Sequence, residues 1–262
     1  MLDDFRLITH SFPGDIDVVP IADVHLGAME CAEKEWTNFV RMVEERPNMY
    51  LIIAGDILNN STRSTKFANP FDERYRPREA KRLLTEHLRP IKDRILCVIP
   101  GNHEARTAKE SDQSLLNDVC YKLDIEDVYR ENMAFMRLSL GQRNDEPKPQ
   151  CSYMFAVVHG SGGGMTGAAV NRNEKFGAII ENLDCLVAGH VHKGFITKPQ
   201  KIVIDPRNAA VTLKHYTVIS CVSWMNYGGY AAKAMLPPAY TASPQTLHLV
   251  CDHHNKEIIT TW

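Results

Sequence analysis

The chain has 262 residues, of which 44% are hydrophobic and 24% are charged, and its formal net charge is −2. This composition is typical of a folded globular protein, and it excludes a strongly basic nucleic-acid-binding protein, so any contact with DNA or RNA would be local. The N-terminal MLDDFRLITH lacks the apolar core of a signal peptide, and no apolar window is long enough to span a bilayer, so no membrane partner is expected.

The seven cysteines are odd in number, scattered along the chain and free of any C-x-x-C pair. Several lie within apolar runs, such as ILCVIP and DCLVAGH, which is typical of buried free thiols. Free thiols are characteristic of reducing compartments, so the cysteine pattern predicts a cytoplasmic protein.

In the first half of the chain, apolar runs alternate with helical patterns. Strands are predicted at IDVVPIAD (16–23), MYLIIAGD (49–56) and RILCVIPG (94–101), and helices at 32–46, 77–90 and 111–123. The first helix carries apolar residues at helical spacing, namely Trp36, Phe39, Val40 and Val43. Pro20 has no N–H to donate, so the first strand is expected to lack a ladder bond or to contain a bulge.

The second half of the chain is richer in predicted strands. They are AFMRLSL (134–140), YMFAVVHG (153–160), DCLVAGH (184–190), KIVID (201–205), HYTVISCVS (215–223) and TLHLVCD (246–252). The polar segment 141–150 is interpreted as a hairpin loop rather than a domain linker, because strands resume directly after it. The order of elements predicts one α/β domain over 1–262, with two sheets in a sandwich and helices outside.

Side chains that can bind metals follow five of the predicted strands, at the point where each strand ends. Since ligands of α/β proteins bind beyond the carboxyl ends of the strands, these side chains are expected to share one site. In LVAGHVHKG, a strand that continued through both histidines would present them on one face. Each residue alone could be a turn residue, a helix cap or a core histidine, but chance poorly explains all five positions. The candidates are Asp23, His25, Asp56, Asn102, His159, His190 and His192.

Carboxylate, amide oxygen and neutral imidazole together suit divalent manganese, iron or zinc. Seven donors are too many for one ordinary site, but they suffice for two ions if one carboxylate bridges them. Two adjacent ions can clamp a phosphoryl group and activate a water molecule. We therefore expect two divalent metal ions as cofactors, manganese before iron, zinc or magnesium.

The blocks D-x-H, G-D, G-N-H-E, H and G-H-x-H occur in this order between Asp23 and His192. In this respect the chain resembles the calcineurin-like metallophosphoesterases. The resemblance implies a four-layer α/β/β/α sandwich with two mixed β-sheets, and a hydrolase with two metal ions.

The resemblance also implies a role for each motif residue. One ion would be bound by Asp23, His25, Asp56 and His192, and the other by Asp56, Asn102, His159 and His190, so that Asp56 bridges the two. His103 would not be a ligand; it would face the substrate as a cation or general acid, a role that suits an imidazole.

One departure from the family bears on the substrate. In the phosphoprotein phosphatases of this superfamily, an aspartate that supports the catalytic histidine stands where this chain has Asn59. The amide of Asn59 can still accept a hydrogen bond but brings no charge, so Asn59 is a candidate catalytic and substrate-binding residue beside His103. DVHLG resembles instead the first block of the double-strand-break repair nucleases, and the wider pattern resembles stand-alone bacterial and phage members labelled as nucleases. The sequence therefore predicts hydrolysis of a phosphodiester substrate, such as nucleic acid or a nucleotide. A phosphomonoesterase acting on a small metabolite or phosphoprotein, and a non-catalytic interaction module, are the alternatives.

Four further features are candidates for substrate contacts. Arg106 is a candidate phosphate ligand or a surface arginine, and the glycine-rich segment 159–167 a candidate active-site loop. The basic segment 74–94 and the aromatic segment 223–230 are candidate nucleic-acid contacts, against the alternatives of a solvated helix face and a packed loop.

Overall fold

The computed structural model describes residues 3–62, 65, 71, 73–141, 151–161, 167–233, 235, 237–252 and 255–262. Two mixed β-sheets pack face to face, and helices cover their outer faces. The predicted four-layer α/β/β/α sandwich is thereby confirmed. The five-block motif lies at one end of the sandwich, where loops leave strands of both sheets.

The first sheet has five strands in the order β13-β12-β2-β3-β4. Its strands β2, β3 and β4 are parallel, whereas β12 and β13 are antiparallel additions at one side. Helices α1 to α4 belong to the same part of the chain. The bounds are β2 Ile16–Ile21, α1 Glu33–Glu45, β3 Met49–Ala54, α2 Pro77–Leu88, β4 Ile95–Ile99, α3 Glu104–Ser111, α4 Leu115–Leu123, β12 Thr246–Asp252 and β13 Asn255–Thr261.

The second sheet has six strands in the order β1-β5-β6-β7-β11-β8, and β6, β7 and β11 are parallel. Helix α5 packs on β7 and β11, and β9 pairs with β10 in a separate two-stranded ribbon. The bounds are β1 Ile8–Phe12, β5 Met133–Leu140, β6 Cys151–Val158, α5 Gly167–Ile179, β7 Cys185–Ala188, β8 Phe195–Thr197, β9 Gln200–Asp205, β10 Ala210–His215, β11 Thr217–Ser220 and α6 Gly229–Lys233.

Pro20 lies inside β2 without a bulge in that strand. The register of β12 against β2 runs from Ile16 to Val18 and ends before Pro20. The missing N–H of Pro20 therefore does not interrupt the β12 ladder. The parallel pairing with β3, by contrast, continues through Pro20 to Ile21.

Two predicted loops lie largely outside the described residues. Strands β5 and β6 are antiparallel neighbours, with Leu140 opposite Cys151, as the hairpin interpretation of 141–150 requires. The connecting residues 142–150, and residues 162–166 of the glycine-rich segment, are not described.

A disulfide joins Cys151 on β6 to Cys251 on β12, and so links the two sheets. The prediction that all seven cysteines are free thiols is therefore wrong for this pair, whose members are 100 residues apart in sequence. The other five cysteines are free and buried. The cysteine pattern consequently no longer indicates a reducing compartment. Among the described residues, no helix combines the length and apolarity needed to cross a bilayer.

Reduction of this disulfide should destabilise the fold. In the chain-entropy account, a disulfide that closes a loop of this length lowers the entropy of the unfolded chain and so raises the free energy of unfolding by about 4 to 5 kcal/mol. We expect the wild-type protein to lose a large part of that stability in dithiothreitol, measured by urea unfolding. The variant C151S/C251S should be equally destabilised and insensitive to the reductant. Identical unfolding curves for the wild-type protein with and without reductant would contradict the bond.

Candidate metal centre

Loops at the carboxyl ends of five strands converge where the two sheets meet. Those after β2, β3 and β4 come from the first sheet, and those after β6 and β7 from the second. Hydrogen bonds connect the loops: Asp23 N–H donates to Gly55 O at 3.0 Å, and His25 N–H to Asp56 O at 3.0 Å. The structure thus brings together all seven sequence-predicted donors, which are Asp23, His25, Asp56, Asn102, His159, His190 and His192.

The backbone of this region is held in an unusual conformation. Five of the seven donors have left-handed φ values, between 52° and 74°. Such a conformation costs about 1–3 kcal/mol per non-glycine residue and persists only where surrounding contacts impose it. These five are Asp23, His25, Asp56, His190 and His192.

The two histidines of the last motif are not part of a strand. Strand β7 ends at Ala188, and both His190 and His192 lie in the bend that follows. The premise that a continuous strand presents them on one face is therefore wrong. The two left-handed residues turn the rings toward different groups of donors instead.

The first group consists of Asp23, His25 and His192. The Nε2 atoms of the two imidazoles are 3.1 Å apart, and Asp23 Oδ1 lies 3.4 Å from His192 Nε2 and 3.9 Å from His25 Nε2. When two imidazole nitrogens bind the same ion, each at about 2.0–2.1 Å, the two nitrogens lie about 3 Å apart. Asp23 Oδ1 is buried and has no hydrogen-bond partner among the described residues. This orphaned oxygen and the facing nitrogens fit a divalent cation.

The second group consists of Asp56, His159 and His190, and Asn102 adjoins it. His159 Nε2 lies 3.1 Å from Asp56 Oδ2 and 3.1 Å from Asn102 Oδ1, while His190 Nδ1 lies 2.8 Å from the same amide oxygen. The other ring nitrogen of His159, Nδ1, lies 2.8 Å from the backbone carbonyl of Ala54. Such an outward bond fixes the ring and leaves Nε2 to face an ion.

Asp56 also belongs to a third group, with His25 and His103, and therefore lies between the two ends of the site. Its Oδ1 accepts a hydrogen bond from the backbone N–H of His103 at 2.8 Å. Burial opposes ionisation of Asp56, but the hydrogen bond from His159 and the neighbouring imidazoles hold the pKa of this carboxyl well below its usual range. Asp56 is therefore the shared anion of the cluster.

The imidazoles differ in their electrostatic surroundings. Burial, with the adjacent His103 and His192, lowers the pKa of His25 well below its ordinary value, which keeps this ring neutral. Burial also acts against protonation of His159, but the bond to Asp56 outweighs it and raises the pKa of this ring to about 9. Because a metal binds the unprotonated ring, ion binding there would release a proton.

A model of the family described as calcineurin-like phosphoesterase matches residues 16–194. The chain belongs to the calcineurin-like phosphoesterase family. Among solved structures, NAD nucleotidase of Haemophilus influenzae is similar at a TM-score of 0.41 and 12% identity over 94% of the chain. The chain spans 49% of the length of that structure. No curated protein sequence matches the chain.

The two predicted substrate-contact residues, Asn59 and Arg106, take part in hydrogen bonds within the protein. The Asn59 side chain does not face His103, since its Nδ2 donates to Glu73 at 2.9 Å and to Ser61 at 3.2 Å. The backbone carbonyl of Asn59 accepts the bond from His103 Nδ1 instead, at 2.6 Å. Arg106 also donates to this carbonyl, at 3.2 Å, and is partly buried.

Part of the basic segment 74–94 is engaged within the protein. Arg74 pairs with Glu33 at 2.8 Å, and Lys81 with Asp118 at 2.7 Å. Arg94 donates to backbone carbonyls at the end of α1. Internal pairing reduces the positive charge that the segment presents to a polyanion.

The aromatic segment 223–230 is anchored in the core. Trp224 is 1% exposed and packs against Trp36 and Phe39, so its ring is not available for base stacking. The backbone N–H of Trp224 donates to the Asp23 carbonyl oxygen at 3.0 Å and so supports the first group. Tyr227, in contrast, is 55% exposed.

Glu104 stands in the G-N-H-E block but is not among the sequence-predicted site residues. Glu104 is buried, and its carboxylate accepts backbone N–H bonds from Asp56 at 3.0 Å, Leu58 at 2.8 Å and Gly101 at 2.8 Å. Burial and the Asp56 charge raise the pKa of Glu104 to about 7, against the effect of the backbone bonds. A side chain at Gly101 would collide with Asp56, so this glycine is required for the close approach.

The variant E104Q should destabilise the protein by about 1–3 kcal/mol, because both carboxylate oxygens face N–H donors and an amide NH₂ leaves at least one of them unpaired. Urea unfolding of the metal-free protein measures this loss. E44Q, on the exposed face of α1, is the matched control and should be neutral. Equal stability of E104Q and E44Q would show that the hydrogen bonds of the Glu104 carboxylate contribute nothing to stability.

Proposed function

We propose that the chain is a binuclear metal-dependent hydrolase of phosphodiesters, acting on nucleotides or short nucleic-acid strands. The observation that supports this most is the position of Asp56 between two histidine-containing groups. Asp23, His25, His192 and Asp56 would hold one ion, and Asp56, Asn102, His159 and His190 the other. Manganese suits this mixture of oxygen and nitrogen donors. When bound, two such ions polarise the phosphoryl group and lower the pKa of the attacking water.

His103 is the candidate for handling the leaving group. Its Nδ1 is fixed on the Asn59 carbonyl, and its Nε2 points into the cluster, 3.9 Å from Asp56 Oδ2. Its ring is therefore oriented by a bond that does not depend on a metal. From this position a protonated Nε2 can give its proton to the departing ester oxygen.

The proposed preference for diesters rests on the charge of the substrate phosphate and of the groups around it. The group that orients His103 is a neutral backbone carbonyl rather than a carboxylate, unlike the pattern of the protein phosphatases. Arg106, the predicted phosphate ligand, is partly buried and donates to the same carbonyl. A diester phosphate carries one negative charge, and it requires less positive charge from the protein than a dianionic monoester does. The complete set of seven donors disfavours the alternative of a non-catalytic interaction module, because buried polar groups without partners are costly unless they bind a metal ion.

A hydrolysis panel with manganese tests this function. We expect bis(4-nitrophenyl) phosphate to be cleaved faster than 4-nitrophenyl phosphate, and short single-stranded DNA or RNA to be cleaved with rates that fall as salt rises. H103A should lose about 10²–10⁴-fold in turnover while keeping its bound manganese, measured by elemental analysis.

Two outcomes would contradict this account. A clear preference for the aryl monoester, without salt-dependent binding to any oligonucleotide, would favour the monoesterase. Loss of bound metal in H103A would instead identify His103 as a ligand, which the third donor group makes geometrically feasible.

A further inference from the structure

A cleft of about 250 Å³ adjoins the second group of donors. Asn102 and His159 contribute to its lining, so a group bound there would lie next to the proposed reaction centre. The remaining polar lining comes from other elements, chiefly Ser114 before α4 and Glu131 and Asn132 before β5, while Ala108 of α3 contributes an apolar surface.

The cleft contains carboxylates but neither of the strongly basic side chains, and its one basic lining residue is His159 of the second donor group. Glu104 and Glu131 line it, and none of its described lining residues is lysine or arginine. The Glu104 carboxylate is occupied by three backbone N–H groups, but Glu131 is exposed. A second phosphate next to Glu131 would face a carboxylate with no lysine or arginine among the described lining residues, which is unfavourable.

A series of hydrogen bonds through Tyr129 fixes which of the groups Ser114 and Glu131 donate and which accept. Tyr129 O–H donates to Glu131 Oε2 at 2.8 Å, because a carboxylate can only accept. The hydroxyl of Ser114 lies 2.9 Å from the Tyr129 oxygen, and it must therefore be the donor in that contact. This bond explains why Ser114, although it precedes α4, does not cap the helix with its side chain.

Both groups consequently face the cleft as hydrogen-bond acceptors. Ser114 has its proton committed to Tyr129, and Glu131 has none to give. Tyr129 is 7% exposed, so this arrangement is anchored in the core and set before any ligand arrives. Asn132 is likewise fixed, because its backbone N–H and Nδ2 donate to the Asp4 carboxylate at 3.0 and 2.7 Å. The complementary ligand is uncharged and rich in hydroxyl donors.

We propose that this cleft binds the neutral, hydroxyl-bearing alcohol part of the phosphodiester, with Ser114 and Glu131 accepting hydrogen bonds from its hydroxyls. The inference rests on the proposed function and specifies its substrate. The alcohol is a sugar, either that of a ribonucleoside or a small free polyol. A polynucleotide strand, with a phosphate at every nucleotide, is not expected to run through this cleft.

Three substrates separate these sources: methyl phosphodiesters of adenosine (through the 5′-oxygen), of 2′,3′-dideoxyadenosine and of glycerol. We expect wild-type kcat/KM for the adenosine ester to exceed that of the dideoxy ester by about tenfold or more, since a site built to accept hydroxyl protons discriminates against their absence. E131Q should remove this preference, because its amide would present donors to the sugar hydroxyls. E126Q, a nearby exposed position, should retain it.

Equilibrium binding gives a readout that does not depend on turnover. In calorimetry with the metal-free wild-type protein, adenosine should bind more tightly than dideoxyadenosine. In metal-free E131Q, the two nucleosides should bind with equal affinity. Preference for the glycerol ester over the adenosine ester would support a small polyol, and the reverse a ribonucleoside.

Two failures are distinguishable. If no phosphoester is hydrolysed, the proposed function falls, while the calorimetric comparison still tests the cleft. If diesters are hydrolysed but the adenosine and dideoxyadenosine esters react equally in wild type and E131Q, the cleft assignment is overturned and the hydrolase remains.

Discussion

Two carboxylates, Asp23 and Asp56, are buried where the carboxyl ends of five strands meet, and buried negative charge requires compensating positive charge or hydrogen bonds. Asp56 receives the backbone N–H of His103 and a contact with the His159 ring. Asp23 accepts the backbone N–H of His190 on Oδ2, but its Oδ1 faces the Nε2 atoms of His25 and His192 and has no hydrogen-bond partner among the described residues. The arrangement is complete only with cations, and this requirement links the fold to its chemistry.

The carboxylates are held in place by residues with energetically unfavourable backbone conformations. The left-handed residues that follow β2, β3 and β7 are held by contacts between loops of different strands. Glu104 adds a clamp that joins the loop after β3 to the loop after β4. Trp224 joins the core to the carbonyl of Asp23. Part of the folding free energy is thus used to preorganise the site rather than to stabilise the sandwich.

Sequence patterns predicted most of the elements whose buried faces are apolar, although β1, which buries Ile8 and Phe12, was missed. Helix α1 buries Trp36, Phe39, Val40 and Val43, the four positions that its spacing indicated. Helices α3, α5 and α6 were not predicted, and for α3 and α5 the reason is physical. The buried residue of α3 is Glu104, and α5 buries Ala169, Asn173 and Gly177, so neither presents the large apolar stripe that defines an amphipathic helix.

The seven donors were found from the sequence because each directly follows a strand, but their grouping depends on turns that composition does not encode. The Cys151–Cys251 bond depends on strands that lie far apart in the chain and that only the assembled sandwich brings together. Asn59 shows the same limit: its position relative to His103 was anticipated, but its carbonyl rather than its side chain makes the bond. The Ser114–Tyr129–Glu131 chain likewise requires three separate segments in contact.

The central claim is that Asp56 is shared by two neighbouring metal ions, and electron paramagnetic resonance of the manganese-loaded protein tests it most directly. Two manganese ions about 3.5–4 Å apart and joined by a carboxylate are magnetically coupled. The account predicts a multiline spectrum of a coupled pair in the wild-type protein, replaced in D56N by the six-line spectrum of isolated manganese. A six-line spectrum from the fully loaded wild-type protein would contradict the shared carboxylate.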